Sequence, residues 1–469
     1  MSKQKLAVII LAAGRGLRMK TAMPKVLHTV AGRPMIDYVL GAAATLDPDQ
    51  LVAVVGPGMD AYADAFAPAR LAVQAEPRGT GDAVMAARPV IGDFDGDVLV
   101  LFGDTPLLRP ETLEAVLGAL NDGSGAAVAV LGFRPADPGQ YGRLITDDAG
   151  KLEAIVESGD ATVEQKAIGL CNSGLMAVQG RHLFGLLEGL SPDNAKGEFY
   201  LTDIVAAARA QGLTCAAVEG GNEEPMGVNS RAEQAVAEAA MQLRLRAEAM
   251  AAGATLIDPT TVYFSFDTRL GHDVVIGPNV FFGPGVTIGD GVEVRAFCHI
   301  DGAEIGDGAI IGPFARLRPG ARIGEAVQIG NYVEIKAAVI EPGAKINHLS
   351  YVGDSRVGAG SNIGAGTITC NYDGFDKHVT DIGAGVFVGS NTALVAPVIV
   401  GDGAVIGAGS VITGDVAPDA LVVARAKQAE VPGGGASYRA RKGGAKPPSA
   451  ARGKAQAQVA GGGKRRGKS

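Results

Sequence analysis

Residues 305–335 read IGDGAI-IGPFAR-LRPGAR-IGEAVQ-IGNYVE-I, with an aliphatic residue at every sixth position. An α-helix would need a spacing near 3.6 and a single strand a spacing of 2, so neither fits. Six-residue turns are typical of a parallel β-helix, in which one aliphatic side chain per turn points inward and stacks on its copies in neighbouring coils. The stretch therefore predicts a β-helix.

The same period continues on both sides of this stretch. Upstream it is carried by Ile276, Phe282, Ile288, Val294 and Ile300, and downstream it runs on to Ile412 with one break. The break is the polar segment CNYDGFDKHVTD at 370–381. Because an excursion from a repeat often carries function, we expect this loop to belong to a site.

The first half has a different pattern. Apolar runs at 6–11, 51–55, 98–102 and 126–131 alternate with helix-compatible segments, which predicts an α/β layer with a largely parallel sheet. Ser230 and Glu233 have capping-box spacing, and no Gly or Pro follows before Gly253, which predicts one connecting helix. We therefore predict four parts: an α/β domain at 1–229, a helix at 230–252, a β-helix at 253–430 and a disordered tail at 431–469.

Composition narrows the class of protein. The net charge is −8, although residues 433–469 hold ten Lys and Arg and no acidic residue, so the rest is strongly acidic. We therefore expect no nucleic-acid partner. No apolar run approaches about 18 residues, so we expect no membrane span. The four cysteines form no C-x-x-C pair, which favours reduced thiols and a cytoplasmic location.

A glycine loop follows the first apolar run. Residues 11–19 read LAAGRGLRM and are followed by Pro24 and Lys25. Backbone N–H groups of such a loop can approach phosphate, with Arg18 and Lys25 supplying positive charge. It is neither a Walker A loop nor a dinucleotide fingerprint. Asp104 follows the run at 98–102, at the strand end where ligands bind in open α/β sheets, although a turn-forming role explains it equally well.

These segments resemble the sugar-1-phosphate nucleotidyltransferases. The motifs LAAGRGLRM…PK, GT at 79–80, FGD at 102–104, YGR at 141–143, IVE at 155–157, NSG at 172–174 and GVN at 227–229 occur in that family's order. The resemblance implies a UTP base pocket, a sugar site and a Mg²⁺ site. It assigns Leu11, Ala12, Ala13, Gly14, Gln74, Gly79 and Thr80 to the base pocket, Gly142, Glu157 and Asn172 to the sugar, and Asp104 and Asn229 to the metal.

The β-helix carries polar residues that a purely structural coil does not need. Arg318, Lys336 and Lys377 suggest an anionic ligand, and His348 and Tyr351 offer proton transfer and hydrogen bonding. The other five histidines, His28, His182, His272, His299 and His378, are interpreted as structural.

The strings RLRPG at 316–320, VEIK at 333–336, NHLSY at 347–351 and NIGAGTITCNYD at 362–373 resemble an acetyltransferase. With the first half, they are similar to the bacterial bifunctional N-acetylglucosamine-1-phosphate uridylyltransferase/glucosamine-1-phosphate N-acetyltransferase family, whose second half is a left-handed β-helix. The resemblance implies that His348 is the general base. It assigns Arg318, Lys336, Tyr351, Asn362 and Lys377 to the sugar phosphate, and Ala365, Asn371, Tyr372, Ser390, Ala408 and Arg425 to acetyl-CoA.

The function that this resemblance implies is synthesis of UDP-N-acetylglucosamine for peptidoglycan and lipopolysaccharide precursors, from sugar phosphate, acetyl-CoA and UTP. A homotrimer is also implied, since the flat sides of a β-helix can pack around a threefold axis. Two alternatives stay open. One is a single-activity nucleotidyltransferase with a regulatory β-helix, and the other is a non-catalytic scaffold subunit. The cluster of His348, Asn362 and Lys377 weighs against the first alternative, and the presence of Lys25, Asp104 and Asn229 weighs against the second.

Overall fold

The computed structural model describes residues 4–14, 16–148 and 150–443. Met1–Val423 forms one compact unit, and a second unit begins at Ala424. The boundaries at 229, 252 and 430 therefore stay predictions. No helix among the described residues is long and apolar enough to cross a membrane.

The first part of the chain builds a mixed sheet. Its strands and those of a small hairpin are β1 Leu6–Leu11, β2 Thr29–Val30, β3 Arg33–Pro34, β4 Gln50–Val55, β5 Arg70–Val73, β6 Asp97–Phe102, β7 Ala126–Phe133, β8 Arg143–Thr146, β9 Leu152–Val156, β10 Cys171–Gln179 and β11 Thr214–Glu219. The helices are α1 Met35–Ala44, α2 Thr80–Ala86, α3 Arg88–Ile91, α4 Pro110–Asn121, α5 Val163–Lys166, α6 Gly180–Glu188, α7 Ile204–Ala210 and α8 Arg231–Ala251.

The order across the main sheet is β11-β7-β10-β6-β1-β4-β5, with β8 and β9 attached beside β10. The four apolar runs predicted as strands are β1, β4, β6 and β7. In β1, Ala7 and Ile9 face one core while Val8 and Ile10 face the other. Both faces are covered, which explains why these strands read as continuous apolar runs. Strands β6, β1, β4 and β5 pair in parallel, as do β7 and β11. Strand β10 runs antiparallel to β6, β7 and β8, and β8 runs antiparallel to β9.

Helix α8 lies within the segment where a connecting helix was predicted. Ser230 Oγ accepts a hydrogen bond from the N–H of Glu233, and Gly253 follows the helix with a left-handed φ of 103°. The Glu233 carboxylate accepts the N–H of Asn229 at 2.7 Å, one residue before the capping serine. The start of α8 therefore fixes the backbone of Asn229.

The rest of the first unit is the predicted left-handed parallel β-helix. Its strands are β12 Thr255–Leu256, β13 Arg269–Leu270, β14 Val275–Ile276, β15 Phe281–Phe282, β16 Thr287–Ile288, β17 Glu293–Val294, β18 His299–Ile300, β19 Ala303–Ile305, β20 Ile310–Ile311, β21 Arg316–Leu317, β22 Ala321–Ile323, β23 Gln328–Asn331, β24 Glu334–Ile340, β25 Lys345–His348, β26 Tyr351–Val357, β27 Asn362–Ile363, β28 Ile368–Cys370, β29 Thr380–Ile382, β30 Phe387–Val388, β31 Ala393–Val395, β32 Val398–Val400, β33 Val405–Ile406, β34 Val411–Ile412 and β35 Leu421–Val422.

Each coil stacks its aliphatic residues on those of the next. Ile311 pairs with Ile329, 18 positions on, and Ile329 pairs with Ile346, 17 positions on, and all three are buried. Three hexads therefore make one coil. Ile363 pairs with Val388, 25 positions on, because the polar loop between β28 and β29 is inserted in that coil.

The tail departs from the predicted disorder in one stretch. A helix, α9, runs over Gly434–Gly443, so that prediction is wrong for those ten residues. Its last turn carries Arg441 and Lys442, which suits the negative end of a helix dipole. Residues 444–469 of the predicted tail lie outside the described residues.

Candidate active sites

A cavity of about 400 Å³ opens at the carboxyl ends of β1 and β6. This volume is within the usual range for small-molecule sites, about 300–1,000 Å³. Ten of the predicted nucleotide and metal residues line it: Leu11, Ala12, Ala13, Gly14, Lys25, Gln74, Gly79, Thr80, Asp104 and Asn229.

The sheet brings the glycine loop and Asp104 together. The N–H of Ala12 donates to the carbonyl of Val54, and the N–H of Gly103 donates to the carbonyl of Leu11. The loop after β1 therefore starts between its two parallel neighbours, where the strand order reverses direction. Open α/β sheets bind ligands at this point.

The predicted base pocket is built around the start of α2. Gln74 is buried, and its side-chain amide donates to the Gly79 carbonyl at 3.0 Å and to Asp82 at 2.9 Å. Gly79 has a φ of 115°, and a Cβ there would lie 2.5 Å from the Phe199 carbonyl oxygen. Only glycine fits this position, and the close approach holds Thr80 at the cavity wall.

Lys25, Asp104 and Asn229 form one charged cluster in the cavity. The Lys25 ammonium donates to the Asp104 carboxylate and, at 2.9 Å, to the Asn229 side-chain oxygen. The Lys25 and Asp104 side chains are nearly buried, with 12% and 10% exposure. A carboxylate and an amide oxygen that already share one cation fit Mg²⁺, which proteins hold with one or two carboxylates plus substrate phosphates. Among the described residues, no group of three or more His, Cys, Asp or Glu could hold a metal without such phosphates.

The three predicted sugar residues lie together. The N–H of Asn172 donates to the Gly142 carbonyl at 2.8 Å, and a Cβ at Gly142 would lie 3.5 Å from a Glu157 oxygen. Burial raises the pKa of Glu157, against the opposing effects of Lys196 and a hydrogen bond from Thr202. Their chain neighbours Tyr141 and Ser173 line the cavity, so this group adjoins it.

Unlike Lys25, Arg18 does not line the cavity. It lies exposed in the short 3₁₀ turn Leu17–Met19 and is outside the cavity lining. Its role in charge neutralisation stays a prediction. The cavity wall also includes Phe102, Glu198, Pro225 and Gly227, of which Phe102 and Gly227 belong to the quoted motifs and Glu198 and Pro225 do not.

Four of the predicted acetyl-transfer residues occupy a column along one corner of the β-helix. Four backbone hydrogen bonds link successive coils here. Their N–H donors and carbonyl acceptors are Leu349 and Asn331, Gly366 and His348, Asn391 and Ala365, and Gly409 and Ser390. Asn331, His348, Ala365, Ser390 and Ala408 therefore stand at matching positions in successive coils. Since neighbouring strands are about 4.8 Å apart, the three steps from His348 to Ala408 span roughly 14 Å.

A charged cluster lies on the adjoining face. Arg318 pairs with Glu334 at 2.9 Å, and Lys336 pairs with Asp354 at 3.5 Å. Lys377 is an electrostatic neighbour of Lys336. Cationic side chains gathered on one face of the β-helix suit a phosphate group.

Tyr351 and Asn371 complete that cluster. Asn371 donates to the Asp354 carboxylate and, at 3.4 Å, to the Tyr351 hydroxyl. The phenol lies over Gly353, where a Cβ would come within 2.3 Å of its oxygen. Asn362 starts β27, one register step from Lys345, on a separate sheet of the β-helix. Arg425 belongs to the second unit, and its predicted contact with acetyl-CoA stays a prediction.

The polar loop is held by its own hydrogen bonds. The pKa of Asp373 is lowered because its carboxylate accepts the N–H of Asp376, the His378 ring and the N–H of Phe375. Tyr372 donates to the carbonyl of Gly374 at 2.6 Å. His378 therefore supports the loop, in line with its structural interpretation. Phe375 at the tip is 91% exposed.

Sequence reasoning missed Asn331, Glu334 and Asp354. Each contacts a predicted site residue through the neighbouring coil: Asn331 contacts His348, Glu334 contacts Arg318, and Asp354 contacts Lys336. The coil length of 17–18 residues was the available signal, because Asn331 stands 17 positions before His348.

Both halves of the chain are similar to known proteins. Residues 8–168 match the model of the MobA-like NTP transferase domain, and residues 267–302, 302–337 and 380–414 match the bacterial transferase hexapeptide model. Bifunctional protein GlmU of Rhodospirillum rubrum is 62% identical over 93% of this chain and 98% of its own length. The protein of the same name from Paramagnetospirillum magneticum is 58% identical over 94% of this chain and 98% of its own length. With such identity along nearly the whole of both chains, the chain belongs to the bifunctional GlmU family.

Proposed function

We propose that the cavity and the corner column carry out the two reactions of a bifunctional transferase that makes UDP-N-acetylglucosamine. Glucosamine-1-phosphate is first acetylated at the β-helix, and the product is then joined to the uridylyl group of UTP at the cavity. The observation that carries this proposal is the grouping of the predicted residues into two separate clusters, each chemically suited to one reaction.

For acetyl transfer, the phosphate of glucosamine-1-phosphate binds Arg318, Lys336 and Lys377. The amine nitrogen attacks the thioester carbon of acetyl-CoA while His348 takes the amine proton. The C–S bond then breaks, and coenzyme A leaves as the thiol. A positioned base suits this step, because only the unprotonated amine is nucleophilic. Acetyl-CoA lies along Ala365, Ser390 and Ala408, with Asn371 and Tyr372 beside it.

For uridylyl transfer, a phosphate oxygen of N-acetylglucosamine-1-phosphate attacks the α-phosphorus of UTP, and pyrophosphate leaves. The chain positions both substrates and neutralises charge, and no protein nucleophile is required. Gln74, Gly79 and Thr80 hold the base, while Gly142, Glu157 and Asn172 hold the sugar. Asp104 and Asn229 would hold Mg²⁺, which compensates phosphate charge when bound. Lys25 and Arg18 add positive charge.

The active assembly is a homotrimer. Phe297, Phe314 and Tyr332 form an exposed stack on the β-helix, with ring centroids 4.8 and 5.2 Å apart, and exposed Leu349 follows His348 directly. Exposed apolar patches of this kind mark interaction sites. Second copies packed on this patch would cover the His348 column. The four free cysteines favour a cytoplasmic enzyme.

One experiment tests both reactions. The protein is mixed with acetyl-CoA, UTP and glucosamine-1-phosphate, and free thiol and pyrophosphate are measured separately. We expect both products, with pyrophosphate release depending on acetyl-CoA. Pyrophosphate without thiol release would favour a single-activity nucleotidyltransferase, and neither product would favour a scaffold.

A further inference from the structure

The imidazole ring of His348 contacts the side chain of Asn331, a residue that belongs to neither set of predicted substrate contacts. Its Nδ1 lies 2.8 Å from the side-chain oxygen of Asn331. The two residues are in register on neighbouring strands, β23 and β25. We propose that Asn331 is a positioning residue that selects the tautomer of His348 able to accept a proton. This inference rests on the proposed role of His348 as the base.

The backbone holds the two residues side by side. Gly330 lets the coils approach closely, because a Cβ there would lie 2.0 Å from the carbonyl oxygen of Asn347. The N–H of Leu349 donates to the Asn331 carbonyl at 3.0 Å. Ser350, which is buried, donates from its hydroxyl to the His348 carbonyl at 2.8 Å. The chain on either side of the imidazole is therefore fixed, and the side-chain contact is a consequence of the fold.

The chemistry of the contact decides the proton position. A side-chain carbonyl oxygen can only accept, so Nδ1 must carry the hydrogen. A neutral imidazole has one N–H, which leaves the lone pair on Nε2 free for the amine proton. With the amide turned over, its NH₂ would donate to Nδ1, Nε2 would carry the hydrogen, and the ring could not act as a base through that atom. Asn331 thus sets which nitrogen is basic.

Two substitutions of similar size separate this role from packing. Asn331→Leu removes the acceptor, and Asn331→Asp keeps an acceptor oxygen in its place. Rates of all variants are measured at the same alkaline pH. We expect Asn331→Leu to lose about 10- to 100-fold in kcat/KM for acetyl transfer, less than the full worth of a base, about 10²–10⁴. Asn331→Asp should retain most of the activity.

Three controls accompany these variants. Gln328→Leu removes an amide from the same strand and should leave the rate unchanged. Asn331→Ala removes the acceptor without adding a large apolar side chain, and it gives the same test if the leucine variant does not fold. Uridylyl transfer by each variant reports whether the chain is intact.

The tautomer itself is visible by nitrogen NMR on ¹⁵N-histidine protein, with the His348 signal identified by its loss in His348→Gln. We expect the Nδ1–H form in the unmodified protein and a shift towards the Nε2–H form in Asn331→Leu. An Nε2–H tautomer in the unmodified protein, equal rates for Asn331→Leu and the unmodified protein, or equal losses in Asn331→Leu and Asn331→Asp would overturn the inference. His348→Ala separates the two levels: if it too keeps full acetyl transfer, the proposed base is wrong, whereas its collapse beside an unaffected Asn331→Leu contradicts only the role of Asn331.

Discussion

A single chain encloses the nucleotide site but leaves the acetyl-transfer site open to solvent. The nucleotide residues line a cavity, and Lys25 and Asp104 are almost buried there. His348, by contrast, is exposed on a corner of the β-helix, beside the exposed Tyr332 and Leu349. An α/β sheet makes a pocket where its strand order reverses. A β-helix is a solid prism whose interior is filled by stacked aliphatic side chains, so its sites must lie on the outside.

This difference predicts that the two activities depend differently on assembly. One chain supplies the walls of the cavity, so uridylyl transfer should proceed in a monomer. The His348 column needs a cover to exclude water and to hold acetyl-CoA, which the proposed trimer would supply. The following predictions test this contrast and the residue roles behind it.

The largest effect is expected from His348→Ala. Without the base, the amine stays protonated and acetyl transfer should fall by about 10²–10⁴-fold. Thiol release measures it. His299→Ala removes another exposed imidazole from the β-helix, one that stacks on Phe281, and should leave the rate nearly unchanged. Similar losses in both variants would argue against a specific role for His348.

Asp104→Ala should reduce uridylyl transfer by at least about 10²–10³-fold, the usual cost of losing one preorganised electrostatic contact to the reacting group. The physical reason is that charge on the leaving pyrophosphate is no longer compensated. Pyrophosphate release over a range of Mg²⁺ concentrations measures it. Asp148→Ala removes an exposed carboxylate from a turn in the same half and serves as the control. A full rate in Asp104→Ala would exclude Asp104 as a metal ligand.

Lys377→Ala should raise the KM for glucosamine-1-phosphate. One charge-assisted hydrogen bond contributes about 1.5–3 kcal/mol, which corresponds to roughly 10- to 150-fold in binding. The KM for acetyl-CoA should stay the same. Lys345→Ala makes the same charge change at an exposed position of β25 and is the matched control. If acetyl-CoA binding weakened instead, Lys377 would belong to the other substrate.

Dilution should separate the two activities. Sedimentation equilibrium at micromolar concentration should show a trimer, and acetyl transfer should be lost in parallel with trimer dissociation while uridylyl transfer persists. A monomer with full acetyltransferase activity would contradict the proposed cover over His348.

The smallest effect is expected from removal of the tail. Truncation after Val431 should leave both rates nearly unchanged, because the removed residues are low in apolar content and lie beyond the last residue assigned to a site. A large loss of acetyl transfer would show that the tail closes over coenzyme A.

The sequence predicted regular features better than local contacts. The hexad period predicted the β-helix, because one apolar side chain in each six-residue turn points inward and is often followed by Gly. Four apolar runs predicted four strands of the main sheet. The antiparallel strand β10 was not predicted, since Cys171–Gln179 contains Gly174 and Ser173 and does not read as a buried run. The helix α9 was also missed, because its low apolar content indicated an unfolded tail.

Among the site residues, too, positions set by a regular element were easier to predict than contacts between distant residues. The motifs that follow a strand, such as Gly14 and Asp104, could be placed at one sheet edge from topology alone. Contacts between coils depend on the exact coil length, and this is why Asn331 and Asp354 were not connected with His348 and Lys336. The environment of Glu157 depends on residues far along the chain, such as Lys196 and Thr202, which no local pattern encodes.

The most direct test of two independent sites is to measure pyrophosphate and thiol release in both His348→Ala and Asp104→Ala. His348→Ala supplied with N-acetylglucosamine-1-phosphate and UTP should release pyrophosphate at the unmodified rate while releasing no thiol from acetyl-CoA. Asp104→Ala should show the opposite pattern, because the two residues lie in separate clusters and distant sites act independently. Loss of both activities in His348→Ala, in a protein that circular dichroism shows to be folded, would contradict the two-site account.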